Sequence, residues 1–152
     1  MHALLLERGW TVATAESVTG GALGALLSAT PGASGTYRGG VVCYATDLKQ
    51  SLLGVEDAVV AGPGVVSAEC AAQMASGVRR LAGATVGVST TGVAGPDPQE
   101  DKPVGLVHVA VALPDAVRTW ELRLSGDRTA IREQACAAAV RAVWATLVGD
   151  AV

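Results

Sequence analysis

Residues 11–29 constrain the fold of this chain more than any other segment. A β-like run over 11–14 passes through Ala15-Glu16-Ser17-Val18-Thr19-Gly20-Gly21 into an apolar helical segment ending near residue 29. A strand-to-helix turn of this kind belongs to an α/β protein, and a serine inside it stands where such folds expose a nucleophile. The two glycines have no Cβ, so backbone can come close to a ligand there. The free N–H groups at the start of the helix are expected to face bound or developing negative charge. The same turn thus predicts a fold class and a reaction site.

The rest of the chain alternates in the same way. A short helix over 2–8 precedes the first strand, read as 11–16, and the helix over 20–29 is stopped by Pro31-Gly32. A strand follows over 38–44, interrupted by Gly39-Gly40. Thr46 reads as the N-cap of a short helix that Gly54 ends. After Gly62-Pro63-Gly64, Ser67 is placed to cap an amphipathic helix with Ala71, Met74, Ala75, Val78 and Ala82 on one face. Residues 84–90 read as a buried strand and 92–103 as a Gly/Pro/acid loop. Residues 104–113 and 117–124 form a hairpin around Pro114-Asp115, and Asp127 caps a long final helix carrying Ile131, Ala135, Ala138 and Ala142. Strands and helices that alternate and then end in an antiparallel pair predict a three-layer α/β/α sandwich on a mixed, mostly parallel sheet. We expect one domain over 1–152, with no internal repeat or linker.

Composition removes several function classes. Half of the residues are apolar and 16% are charged, which excludes disorder as a description of the whole. With 11 basic and 14 acidic residues and no basic stripe, nucleic acid is not expected as a partner. The apolar run over 104–113 is far short of the roughly 20 residues that span a bilayer. The first six residues are too short for a secretory signal, and Cys43, Cys70 and Cys136 make an odd count without a CxxC, so a reduced, cytoplasmic protein is expected. His2 and His108 lie far apart, and no transition-metal cluster is expected.

Three further segments could carry chemistry. Lys49, one of two lysines, falls in the first turn of its helix, where the dipole and partial burial lower a lysine pKa. A neutral lysine can take a proton from a serine hydroxyl, directly or through a tyrosine such as Tyr44. A solvated surface charge is the alternative reading. The run Thr90-Thr91-Gly92-Val93-Ala94-Gly95-Pro96-Asp97 leaves a strand end, where open α/β sheets bind ligands, although a glycine-rich turn would read the same. Arg128 and Arg132 share a helix face near its N-terminus and could hold a phosphate or carboxylate, or form an exposed salt-bridging face. Cys43 is either a nucleophile or a small buried side chain. Walker A, GxGxxG and SxxK patterns are missing, and neither histidine suits a Ser-His-Asp triad.

Taken together and in order, these segments resemble the CinA C-terminal domain family. The resemblance rests on residues 15–21, on Gly39-Gly40-Val41-Val42-Cys43-Tyr44 with Lys49 and Leu53-Gly54-Val55, on residues 91–97 with Lys102-Pro103-Val104-Gly105, and on Gly126-Asp127-Arg128 with Ile131-Arg132. The family includes bacterial nicotinamide-nucleotide amidohydrolases. The resemblance implies hydrolysis of the carboxamide of nicotinamide mononucleotide to nicotinate mononucleotide and ammonia, without metal or organic cofactor. It implies Ser17 as nucleophile, Lys49 with Tyr44 moving the proton, and backbone around Thr19, Gly20 and Gly21 holding the oxyanion. Thr91 and Gly92 would line the nucleotide site and Arg132 would take the phosphate. Val18 stands where the family pattern has Cys, Thr46 where Asn is common and Pro98 where Gly is common. Some members carry an additional N-terminal domain; this sequence looks like the stand-alone form, which is what we expect. A non-catalytic nucleotide-binding accessory domain, or an amidase for another small amide, are the alternatives. A mean hydropathy of +0.40 points to apolar surface buried between subunits, most simply in a homodimer.

Overall fold

A computed structural model of the chain describes residues 1–149. Its centre is a five-stranded mixed sheet built from β1 (Val12–Glu16), β2 (Tyr37–Val42), β3 (Val86–Gly92), β4 (Leu106–Ala112) and β5 (Val117–Arg123), in the order β2-β1-β3-β4-β5. β1 pairs in parallel with both β2 and β3, while β3–β4 and β4–β5 are antiparallel. Four strands therefore run one way and β4 alone runs against them. The inner strands β1, β3 and β4 are buried almost throughout, as strands covered on both faces must be.

Helices α1 (His2–Glu7), α2 (Ala22–Ser28) and α6 (Arg128–Val148) cover one face. Leu5, Leu23, Leu27, Ile131, Ala135, Ala139 and Val143 pack there against Val86, Val88, Val107, Val109 and Val111. Helices α3 (Thr46–Leu53), α4 (Asp57–Ala61) and α5 (Ala68–Leu81) cover the other, where Leu53, Val59, Cys70, Met74 and Val78 meet Ala13 and Ala15. The molecule is the three-layer α/β/α sandwich predicted from the alternation. With no Phe, the core closes by approach of backbone rather than by large rings. A Cβ on Gly77 would overlap the Leu53 carbonyl, and one on Gly87 the Ala75 carbonyl, so these two glycines set how closely α5 approaches α3 and the sheet, respectively.

Several local expectations are corrected. Gly39 and Gly40 do not interrupt β2; they continue it, with a register shift against β1 between Val12 and Ala13. α2 begins at Ala22 rather than residue 20, because Gly20 and Gly21 have left-handed φ of 59° and 98° and belong to the turn. Thr46 does not cap α3. The N-cap is Ala45, with no side-chain cap, and Thr46 is the first helical residue. A short helix, α4, and a 3-10 turn over Ala33–Gly35 were not anticipated. Ser67 and Asp127 do cap α5 and α6, accepting from the N–H groups of Cys70 and Ala130.

Candidate active site

The chain leaves the C-terminal ends of β1, β2 and β3 at one edge of the sheet. From β1 it crosses to β2 through α2 on one face, and from β2 it crosses to β3 through α3, α4 and α5 on the other. Open α/β sheets place ligands at such a reversal. A cleft of about 130 Å³ lies there, with Ser17, Tyr44, Thr46, Lys49, Thr91 and Gly92 in its lining. Three separate segments of the sequence therefore meet, and Val18, Asp97, Gln99 and Arg128 also line the cleft.

Ser17 is the first residue beyond β1. Its N–H still donates to the Thr90 carbonyl (2.9 Å), and the Cys43 N–H donates to the Glu16 carbonyl (2.9 Å), so the sheet ladder holds the serine from both sides. The turn that follows is organised by Glu16, which is 2% exposed. Its carboxylate accepts from the N–H groups of Gly21 (2.9 Å), Leu23 (3.0 Å) and Gly24 (2.7 Å) and from the Thr19 hydroxyl (2.7 Å). The α2 N-terminus is thus already filled by an anion of the protein itself. The expectation that its N–H groups face a substrate anion is corrected on that ground.

The same contacts relocate three expected binding residues. Thr19 is fully buried, its hydroxyl tied to Glu16 and to the Thr90 hydroxyl (2.8 Å). The Gly20 N–H donates to the Ser17 carbonyl (3.1 Å), and the Gly21 N–H is taken by Glu16. Neither glycine supplies a free donor to the cleft. Among the described residues, the N–H groups of Val18 and Thr19 meet no acceptor.

Lys49 is 1% exposed. Helical side chains lean toward the helix N-terminus, so from the first turn of α3 this one reaches the chain just before the helix. Its Nζ donates to the carbonyls of Cys43 (2.8 Å) and Tyr44 (3.1 Å). Burial pushes the ammonium below the usual lysine range, opposed by the nearby thiols of Cys43 and Cys70 and by Glu100 and Tyr44. Cys43 is fully buried and its thiol faces the Glu16 carbonyl (3.6 Å); burial pushes that thiol up, and it lies outside the cleft lining.

Tyr44 bonds to Lys49 through its carbonyl only. Its ring is exposed, and its hydroxyl accepts from Arg128 Nη2 (2.9 Å). Arg128 Nη1 donates to the Gly95 carbonyl (2.7 Å), so the guanidinium bridges the two walls of the cleft. Arg132, the expected phosphate ligand, stands one turn further along α6, outside the cleft lining, and donates to the Thr19 carbonyl (2.7 Å) behind the turn. The position of Arg128 follows from its being the first residue of α6, where a side chain projects beyond the helix end. Thr91 lines the cleft and its hydroxyl donates to the Val65 carbonyl (2.7 Å). Sequence reasoning missed Asp97, Gln99 and Glu16. Asp97 and Gln99 lie in a Gly/Pro/acid loop whose composition does not single them out, and nothing in a single sequence marks Glu16 as buried. Among the described residues no group of three His, Cys, Asp or Glu side chains is arranged to hold a metal ion, and no helix is long and apolar enough to cross a membrane.

Residues 1–147 match the family model for the CinA C-terminal domain. A "CinA-like protein" of Frankia casuarinae is 52% identical over 146 residues, covering 96% of this chain and 34% of that protein. A "putative competence-damage inducible protein" of Geobacillus sp. is 48% identical over 130 residues, covering 85% of this chain and 31% of its own length. The chain thus spans about a third of the curated relatives it matches. The crystal structure of a CinA superfamily protein from Klebsiella pneumoniae superposes with a TM-score of 0.94 at 35% identity, covering 97% of this chain and 93% of that one. A competence/damage inducible protein from Agrobacterium tumefaciens gives 0.89 at 36% identity, covering 93% and 87%. This chain belongs to the CinA C-terminal domain family.

Proposed function

We propose that the protein hydrolyses the carboxamide of nicotinamide mononucleotide to nicotinate mononucleotide and ammonia, a step in pyridine nucleotide recycling. The observation that carries this reading is the environment of Lys49. An uncharged amine has two hydrogens and one lone pair. The carbonyls of Cys43 and Tyr44 take the two hydrogens, which leaves the lone pair as the direction that can accept a proton in the cleft it shares with Ser17.

In the proposed reaction the Ser17 hydroxyl oxygen bonds to the carboxamide carbon while its proton passes to Lys49. The C–N bond then breaks and Lys49 returns that proton to the departing nitrogen, which leaves as ammonia. A water repeats the attack on the acyl-serine, giving its proton to Lys49 and then to Ser17, and the carboxylate is released. The donors for the oxyanion are the N–H groups of Val18, which lines the cleft, and of the adjacent buried Thr19; neither meets an acceptor among the described residues. This assignment depends on backbone alone, so Val18 serves as well as the cysteine of the family pattern. Arg128 replaces Arg132 as the ligand for the phosphate, because it lines the cleft and its present acceptors are neutral. Asp97 supplies a carboxylate for the cationic pyridinium ring. Tyr44 holds Arg128 rather than relaying the proton.

The reading is tested by ammonia release from nicotinamide mononucleotide, nicotinamide riboside and free nicotinamide. We expect the nucleotide to be hydrolysed and the two phosphate-free amides to react at least about tenfold less efficiently, in line with loss of one charge-assisted contact. Tight nucleotide binding without ammonia release would overturn it in favour of an accessory binding domain.

A further inference from the structure

We propose that Glu16 is the positioning residue of the nucleophile, holding the turn so that Ser17 faces the cleft and the Val18 and Thr19 N–H groups stay unspent. The proposal rests on the reading of Ser17 as nucleophile. Its basis is a closed ring of hydrogen bonds. Glu16 accepts from the Thr19 hydroxyl (2.7 Å), the Thr19 hydroxyl meets the Thr90 hydroxyl (2.8 Å), and the Thr90 carbonyl accepts the N–H of Ser17 (2.9 Å), which is bonded covalently to Glu16. Two neighbours in sequence are thus locked to one residue of β3 through different atoms. The other carboxylate contacts, to the N–H groups of Gly21, Leu23 and Gly24, fold the chain back sharply after Ser17.

The pocket around this carboxylate is closely fitted. A Cβ on Gly24 would lie 2.7 Å from the Tyr37 hydroxyl and 3.2 Å from Glu16 Oε1, and one on Gly40 would overlap the Thr14 hydroxyl. Thr14 Oγ1 in turn meets Tyr37 (2.9 Å) and approaches Glu16 Oε1 (3.5 Å). All of the groups that donate to Glu16 are neutral N–H or O–H donors, and every one needs an acceptor. A glutamine has the same size but one acceptor oxygen. In either orientation its NH₂ meets an N–H it cannot accept from, that of Gly24 or those of Gly21 and Leu23, so part of the turn's anchoring is lost while the fold keeps its volume.

The test compares Glu16→Gln, Thr19→Val and the double variant with the wild type, at a temperature where circular dichroism shows every protein folded. Two quantities are read: kcat and KM for ammonia release from nicotinamide mononucleotide, and the rate at which a small fluorophosphonate labels Ser17. For Glu16→Gln we expect kcat and labelling to fall by the same factor, on the order of 10–100-fold for a misplaced reacting group, with KM within about twofold. Thr19→Val should fall less, and the double variant little further than Glu16→Gln, since both loosen one hydrogen-bond network. A folded Glu16→Gln with wild-type kcat and labelling, or with a loss confined to KM or to melting temperature, would overturn the proposal. Should Glu16→Gln not fold, Thr19→Val decides: unchanged kcat and labelling with a lower melting temperature would reduce the ring to a structural role. A wild type that labels at Ser17 but releases no ammonia sinks the substrate reading and leaves labelling as the test of Glu16. A wild type that neither labels nor turns over removes the nucleophile, and this proposal with it.

Discussion

The Nζ of Lys49 lies 2.8 Å from the carbonyl oxygen of Cys43, inside a wall of protein that leaves the residue 1% exposed. Helix geometry explains how it gets there. α3 starts directly after Tyr44 and Ala45, and its fourth residue leans back over the chain it came from. The amine therefore enters the cleft from beneath, its hydrogens committed to backbone.

This arrangement predicts the pH dependence of catalysis. The base must be uncharged, and burial moves its titration below the usual lysine value of 10.5. The rate kcat/KM for nicotinamide mononucleotide should rise with pH along an acid limb whose midpoint lies below 10.5. Lys49→Arg keeps the donors but cannot be deprotonated, and should cost about 10²–10⁴-fold in kcat. A steady-state pH profile of both proteins checks this.

The same burial makes Lys49 a pH-dependent liability for folding. Its folded pKa is lowered, so between the folded and unfolded values the unfolded chain binds more protons, and stability rises with pH. The penalty is complete below the folded pKa and gone above about 10.5. Thermal melts of Lys49→Met against the wild type should therefore show the variant gaining relative stability as pH falls from 10.5, whatever the offset from the two carbonyls it leaves unpaired.

Arg128 and Arg132 should separate cleanly in kinetics. Arg128→Ala removes a cleft guanidinium and should raise KM for the nucleotide by roughly 10–100-fold, with little change for nicotinamide riboside. Arg132→Ala removes the support of the Thr19 carbonyl and should lower kcat for both substrates instead. Initial-rate measurements on the two substrates distinguish these outcomes.

Val18→Cys restores the residue of the family pattern at a buried position (6% exposed) and should leave kcat within about threefold, because the side chain has no chemical task. Gly87→Ala forces a Cβ into the Ala75 carbonyl and should destabilise the protein by about 1–3 kcal/mol, a fall of several degrees in Tm.

Ser17, Tyr44, Lys49, Thr91 and Gly92 could be gathered from the sequence because each sits at the end of a strand or the start of a helix, and those boundaries leave signals in glycine, β-branched and capping residues. What could not be read was which donors were already used. Gly20 and Gly21 have the flexibility of an anion-binding turn, yet their N–H groups serve Ser17 and Glu16, and Thr19 turns inward to Thr90, 71 positions away. Arg128 and Arg132 share one helix face and differ only in whether they project past the helix end, which no spacing rule resolves. In the fold, the sandwich followed from alternation, whereas α4 and the uninterrupted β2 depend on tertiary pairing: β1 supplies the ladder that carries Gly39 and Gly40 as strand.

The central claim is that Ser17, served by Lys49, cleaves a nucleotide carboxamide. Ammonia release from nicotinamide mononucleotide by wild type and Ser17→Ala, with nucleotide binding followed by calorimetry, tests it most directly. We predict measurable release by the wild type, and a variant that folds and binds the nucleotide but turns it over roughly 10³-fold more slowly or worse. Undiminished release by Ser17→Ala would contradict the account.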